Sequence, residues 1–156
     1  MKPFVLALTV AAACPSAALA YDKAVYAPIA KFGATFNVGD VPGAAATMVP
    51  GVVIADETAP FLWWQGKSGF QDWVNDLSAA EKAKGYSDQH VKIGLPKREV
   101  IGGNKAYVIV PSDYGFTRGG VKYHEVAQMT FTLVKGSAGW KISSWTWTGA
   151  AAVPVK

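Results

Sequence analysis

Cysteine, histidine and long hydrophobic runs are scarce in this chain. Of its 156 residues, one is cysteine and two are histidine. With so few soft or imidazole ligands, and no His-x-x-x-His spacing, a zinc or iron site is not expected. The chain also lacks a Gly-x-Ser-x-Gly elbow, a phosphate-binding loop and a dinucleotide fingerprint. We therefore predict neither a metal site nor a cofactor.

The longest apolar run lies at the amino terminus. Lys2 precedes a run of apolar residues from Phe4 to Ala13, and Ala18-Leu19-Ala20 supplies small residues of the kind that signal peptidase cleaves after. This pattern predicts a signal peptide over residues 1–20, cleavage near Ala20, and a periplasmic or secreted protein. After it, no run approaches the ~20 apolar residues that span a bilayer, so we predict no membrane insertion.

The single cysteine, Cys14, allows one alternative at this terminus. It could be the lipidated cysteine of a lipoprotein, although no large aliphatic residue stands three positions before it. If the signal is cleaved near Ala20 instead, the mature chain has no cysteine and folds without a disulfide.

The remaining residues, 21–156, are enough for one domain with its own core. The formal charge of the whole chain is +4, and the lysines are scattered. The nearest pair, Lys82 and Lys84, suits the negative end of a helix dipole. Nucleic-acid binding is therefore not expected.

The first half of the chain carries helical signals. Apolar residues at helical spacing predict a first helix from an Asp22 cap to Gly39, with Pro28 marking a kink or a later start. Asp40 is expected to cap a short second helix that ends near residues 48–50. Ser68 and Gln71 form a predicted capping box for a third helix, which ends at Gly85.

Strand patterns dominate the rest. Residues 52–56 predict a short strand, and residues 58–66 an apolar loop with Trp63 and Trp64. Four long antiparallel strands are expected over residues 90–101, 105–116, 121–135 and 140–148, with bends or bulges at Pro96 and Pro111. In the last of them, alternation places Trp145 and Trp147 on one face. The order of elements indicates an α+β domain.

Several short motifs resemble the nuclear transport factor 2-like superfamily, which includes SnoaL-like proteins and ketosteroid isomerases. They are Asn37-Val38-Gly39-Asp40, Trp64-Gln65-Gly66 and Gly139-Trp140-Lys141-Ile142. The resemblance covers about residues 24–149. It implies a cone-shaped, cystatin-like roll in which three N-terminal helices pack on a curved, mostly antiparallel sheet, with an internal pocket and commonly a homodimer.

The resemblance also assigns catalytic positions. Asp56 matches the general base of the isomerases, while Phe32 and Met129 stand where those enzymes have oxyanion donors. Neither side chain can donate a hydrogen bond, so isomerisation through a stabilised enolate is not expected. As a base, Asp56 would need a pKa raised by apolar neighbours; a solvated or loop-capping carboxylate is the alternative. Glu57 beside it is expected to point away and be exposed.

A ligand pocket follows from the same positions. Two tryptophans on the last strand either fill a core or interface or contact a ligand. Tyr114 either orients a polar ligand group or bonds to a backbone carbonyl. His124 is placed on the outer face of its strand. The pocket is expected to be lined by Phe32, Phe36, Asp56, Tyr114, Met129, Phe131, Trp145 and Trp147.

Three functions are compatible with these observations. The first is an exported protein that binds a small hydrophobic molecule in the aromatic pocket. The second is a SnoaL-like or isomerase-like enzyme that uses Asp56 as a general base on a carbon acid. The third is a dimeric accessory or assembly module whose interior holds no ligand. For a dimer, the outer sheet face with Val126, Gln128, Thr130 and Thr132 offers a mixed polar and β-branched surface.

Overall fold

One mixed sheet, with helices packed on its inner face, organises the chain. The computed structural model describes residues 20–60 and 63–156. Residues 1–19, with Cys14 and most of the predicted signal peptide, lie outside the described residues. The described elements are α1 (Lys23–Asn37), α2 (Val41–Ala45), β1 (Met48–Ala55), β2 (Trp63–Gly66), α3 (Gly69–Lys84), β3 (Tyr86–Ile93), β4 (Arg98–Gly102), β5 (Lys105–Arg118), β6 (Val121–Gly136), β7 (Gly139–Gly149) and β8 (Val153–Pro154).

The sheet order is β2-β1-β7-β6-β5-β3, with β4 paired to β5 and β8 paired to β6. Strands β1 and β7 run parallel, and the other pairs in this part of the chain are antiparallel. The α+β prediction is confirmed. The helices do not form one N-terminal block, because β1 and β2 precede α3.

Side-chain caps begin α1 and α2 as predicted. The Asp22 carboxylate accepts a hydrogen bond from the backbone N–H of Ala24 at 2.8 Å, and Asp40 accepts one from Gly43 at 2.9 Å. A later start of α1 because of Pro28 is wrong, since the helix begins at Lys23. The second helix is shorter than predicted, and residues 48–50 belong to β1 instead.

The predicted capping box at α3 is wrong in its contacts. Ser68 is the N-cap residue, but its backbone is already in the helical region (φ −94°, ψ −6°) and its side chain makes no capping bond. Gln71 instead donates to Asn75, at 3.0 Å. The helix ends at Gly85, as predicted, with the left-handed backbone (φ +68°) that favours glycine.

The strand predictions need three corrections. The apolar loop expected over residues 58–66 contains β2, which pairs with β1. The strand expected over residues 90–101 is two strands, β3 and β4, and Pro96 lies in the break between them. No bulge occurs at Pro111, which pairs in regular register with Gln128.

A bulge in β7 keeps four apolar side chains on the inner face. Thr132 pairs with Ser144 and Leu133 pairs with Ile142, so Ser143 is an extra residue in β7. The Thr132 hydroxyl bonds to both serine hydroxyls, at 2.8 Å and 2.6 Å. Because of the extra residue, the inward positions change from even to odd numbers, and Trp140, Ile142, Trp145 and Trp147 all face inward.

The core lies between this inner face and helices α1 and α3. Its largest fully buried side chains are Phe131, Ile29, Ile54, Leu133 and Ile142. Within the described part of the chain, none of the helices is long and apolar enough to cross a bilayer.

Candidate functional site

A cavity of about 410 Å³ lies between α1, α3 and the inner face of the sheet. Seven of the eight residues that the sequence predicts for a pocket line it: Phe32, Phe36, Asp56, Tyr114, Met129, Trp145 and Trp147. The cavity opens to solvent beside lining residues that are exposed, including Glu57, Lys84 and His90.

Phe131 is the exception. It lies on the inner face of β6, two residues from Met129, but it is fully buried and does not line the cavity. Its ring packs against Phe32 with the centroids 6.4 Å apart. Phe131 is therefore a core residue that supports the cavity wall.

Aromatic rings form the apolar end of the cavity. The Trp145 ring lies edge-on to Trp73, with 4.8 Å between centroids, and 5.9 Å from Phe32. Phe36 packs against Trp73 at 5.3 Å. Trp145 is 3% exposed, and its indole N–H has no hydrogen-bond partner among the described residues. Trp145 is therefore a core residue that also forms part of the cavity wall.

Trp147 is half-buried and connects the apolar end to a carboxylate. Its indole N–H donates to Glu125 Oε1 at 2.6 Å. Glu125 is 6% exposed and lines the cavity. A Cβ atom on Gly149 would come within 1.7 Å of Glu125 Oε1, so glycine at this position makes room for the carboxylate.

Asp56 is held in place at the end of β1. Its Oδ2 atom accepts a hydrogen bond from the Trp73 indole at 2.8 Å, and Oδ1 accepts one from the backbone N–H of Thr58 at 3.3 Å. Asp56 lines the cavity, and so does Glu57, although strand alternation predicts that Glu57 points away. The reason is that β1 ends at Ala55, so alternation no longer applies.

Tyr114 contacts side chains rather than a backbone carbonyl. Its hydroxyl donates to Glu81 Oε1 at 3.1 Å and also contacts the Gln89 side chain. Burial and the nearby Glu81 carboxylate raise the pKa of Tyr114. The phenol is therefore a neutral hydrogen-bond donor at physiological pH.

Sequence reasoning missed Glu81 and Glu125, although both carried a signal. Glu81 follows Trp73 and Leu77 at intervals of four, which places it on the same helical face. Glu125 has the same strand parity as Met129, which places it on the inner face. Both were overlooked because a carboxylate is rarely buried without a cation beside it.

His124 lies on the outer face, as its parity predicts. Its Nδ1 atom is 3.1 Å from Asp113 Oδ2, and both side chains are partly exposed. This pair is separate from the cavity lining.

Three glutamates that line the cavity have a raised pKa. Burial is the main cause for Glu125, Glu81 and Glu57, and the Asp56 carboxylate adds to the effect in each case. Lys84 counteracts it at Glu57 and Glu81. The cavity thus holds excess negative charge that the protein compensates only in part.

The burial and mutual repulsion of these carboxylates make the stability of the protein depend on pH. The pKa of Glu125 is raised in the folded state, so its contribution to stability is fully present below the unfolded pKa and is lost as pH rises through the folded pKa. We expect Glu125→Gln, which cannot ionise but still accepts the Trp147 hydrogen bond, to raise the free energy of unfolding by about 1 kcal/mol at pH 8. Urea unfolding from pH 4 to 8 measures this.

The gain should shrink towards pH 4, where wild-type Glu125 is mostly protonated in both states. Asp88→Asn, at an exposed position outside the cavity, controls for the change in net charge. A Glu125→Gln variant that is less stable than wild type at pH 8 would contradict the prediction that ionised Glu125 destabilises the folded protein.

Comparison with known proteins places the fold. No protein-family model and no curated protein sequence matches the chain. Among solved structures, hexachlorocyclohexane dehydrochlorinase LinA-type3 from Novosphingobium barchaimii LL02 has a TM-score of 0.70 at 14% identity, covering 85% of this chain and 88% of that chain. A ketosteroid isomerase-like protein from Erwinia carotovora atroseptica has a TM-score of 0.63 at 20% identity, covering 82% and 95%.

A third match is named as nuclear transport factor 2-like, with a cystatin-like fold. This protein, from Novosphingobium aromaticivorans, has a TM-score of 0.65 at 17% identity, covering 80% of this chain and 79% of that chain. At such identities the likeness concerns the fold and not the chemistry. The chain therefore has the fold of the nuclear transport factor 2-like superfamily, as its sequence motifs predicted.

Proposed function

We propose that this protein is exported and binds a small, mostly apolar molecule in its cavity. The observation that carries the proposal is the open space of about 410 Å³ between aromatic side chains. Cavities of roughly 300–1,000 Å³ with apolar walls and a few polar groups are typical of small-molecule sites. Export rests on the amino-terminal sequence pattern.

The packing of the walls supports a preformed site. Trp145 and Trp73 contact each other, and a hydrogen bond fixes Trp73 to Asp56. A ligand that enters such a cavity gains apolar contact area without first ordering the aromatic walls, which favours affinity.

A third possibility, an assembly module whose interior is only core, does not account for the open space.

Binding should be detectable with a neutral fluorescent probe such as N-phenyl-1-naphthylamine. We expect saturable emission enhancement, with a dissociation constant in the micromolar range. Leu77→Trp, which enlarges a residue of the cavity wall, should weaken binding about tenfold or more because it fills the space. Fluorescence titration measures both.

Ile101→Trp is the matched control. Ile101 lies on β4, is 45% exposed and does not line the cavity, so this variant should bind like wild type. Absence of any saturable binding by folded wild-type protein, with this and other apolar probes, would overturn the proposal.

A second candidate function is general-base catalysis by Asp56. The specific observation in its favour is the Trp73 hydrogen bond, which orients the carboxylate at the cavity wall. Such a base could remove a proton from a bound carbon acid. Phe32 and Met129 supply no donor for the resulting enolate; the Tyr114 hydroxyl on the cavity wall would supply one by exchanging its Glu81 acceptor for the enolate.

This candidate is tested without knowing the substrate. If Asp56 is a general base, the protein should accelerate hydrogen–deuterium exchange at the α-carbon of an apolar ketone such as 2-tetralone. Proton NMR measures the exchange rate. Asp56→Asn keeps an acceptor for the Trp73 indole but removes the base, and we expect it to lower the exchange rate at least 100-fold.

Asp113→Asn removes a carboxylate from the outer face and should leave exchange unchanged. Equal exchange rates with wild-type protein and Asp56→Asn would exclude Asp56 as the base. Thermal unfolding of both variants verifies that they are folded.

We also propose that the protein forms a homodimer through the outer face of the sheet. Val126 is 65% exposed on β6, and Gln128 on the same face is also exposed. A stable dimer through this face would bury about 1,200–2,000 Å² in total.

Sedimentation velocity tests the dimer. We expect wild type to sediment as a dimer and Val126→Lys to shift it towards monomer, because a buried lysine would lack a partner. Ala79→Lys, at an exposed position on α3, which packs on the inner face of the sheet, serves as the control for added charge. A monomeric wild-type protein at micromolar concentration would contradict the proposal.

A further inference from the structure

We infer that the ligand of this cavity carries a positive charge, as a protonated amine or a quaternary ammonium group, next to its apolar body. This inference rests on the proposed small-molecule function and specifies its ligand class. The group that receives the cation is the Glu125 carboxylate, and the rings of Trp147 and Tyr114 flank it.

Glu125 presents an unpaired oxygen inside a built site. Among the described residues, its carboxylate accepts one side-chain hydrogen bond, from Trp147 to Oε1, and Oε2 accepts none. The side chain is 6% exposed and lines the cavity. Gly149 leaves the space that the carboxylate occupies. A buried carboxylate of this kind normally has a cation beside it, and no cation among the described residues forms an ion pair with Glu125.

The charge around the cavity favours the same ligand. Its lining carries four carboxylates, on Asp56, Glu57, Glu81 and Glu125, and one lysine, Lys84. The Lys84 ammonium lies over the Tyr86 ring, 5.7 Å from its centroid. In the described part of the chain, no three His, Cys, Asp or Glu side chains are grouped so as to hold a metal ion. The negative charge is thus spread along the wall, which suits an organic cation better than a small metal ion.

The aromatic rings beside Glu125 complete the recognition. Tyr114 is the direct cross-strand neighbour of Glu125, and Trp147 is hydrogen-bonded to it. The two rings stand nearly perpendicular, at 87°, with centroids 6.4 Å apart. An ammonium group on the free carboxylate oxygen would contact these rings, and a cation over a ring face is attracted by its quadrupole. The apolar body would then lie against Trp145, Phe32 and Met129.

Three probes of one shape test the charge. They are 4-tert-butylbenzylamine, 4-tert-butylbenzyl alcohol and 4-tert-butylbenzoate, titrated into the full-length mature protein at pH 7 by isothermal titration calorimetry. We expect the amine to bind about tenfold more tightly than the alcohol, because the charge-assisted hydrogen bond is added. We expect 4-tert-butylbenzoate to bind more weakly than the alcohol, because its negative charge is repelled by Glu125.

Variants separate Glu125 from the general negative field. Glu125→Gln keeps the shape and the acceptor for Trp147, and it should abolish the preference for amine over alcohol. Glu99→Gln removes a carboxylate that does not line the cavity and should retain the full preference.

The outcomes distinguish the inference from the proposed function. Equal binding of amine and alcohol by wild type, or an amine preference that survives in Glu125→Gln, overturns the inference while small-molecule binding stands. If none of the three probes binds saturably and the neutral fluorescent probe does not bind either, both the inference and the proposed small-molecule function are overturned.

Discussion

The register between β6 and β7 controls which side chains reach the interior of this protein. Met129 lies opposite Trp147 and Phe131 lies opposite Trp145, so two aromatic and apolar pairs face the helices together. This register depends on the extra residue Ser143, whose hydroxyl bonds to Thr132. Without it, Trp140 and Trp145 would point to opposite faces of the sheet, since side chains alternate strictly along a strand.

The inward tryptophans also explain why the interior is both a core and a cavity. The Trp145 ring is buried by contacts with Trp73 of α3 and Phe32 of α1. Trp147, two residues nearer the end of the strand, has fewer neighbours and remains half-buried beside open space. The cavity lies between the helices and the sheet, and its wall combines aromatic rings with carboxylates.

That change of chemistry connects the structure to its proposed ligand. The aromatic end offers burial of apolar surface, and the polar end offers Glu125, Glu81 and Asp56 with the Tyr114 hydroxyl among them. Repulsion between these carboxylates is a cost to the folded protein, and a bound cation would relieve it.

The sequence by itself determined the α+β class, two of the helix caps and the shared face of Trp145 and Trp147, because these depend on local periodicity and on side chains that bond to adjacent backbone. It also indicated seven of the residues that line the cavity. Tertiary structure decided the rest. Ser68 makes no capping bond, because its backbone is already in the helical region. Strand β2 forms because Trp63 and Trp64 pair with residues of β1. Helical spacing and strand parity place Glu81 and Glu125 on inward faces, but only the packing of α3 over the sheet encloses them with Asp56 around a space that the aromatic side chains do not fill.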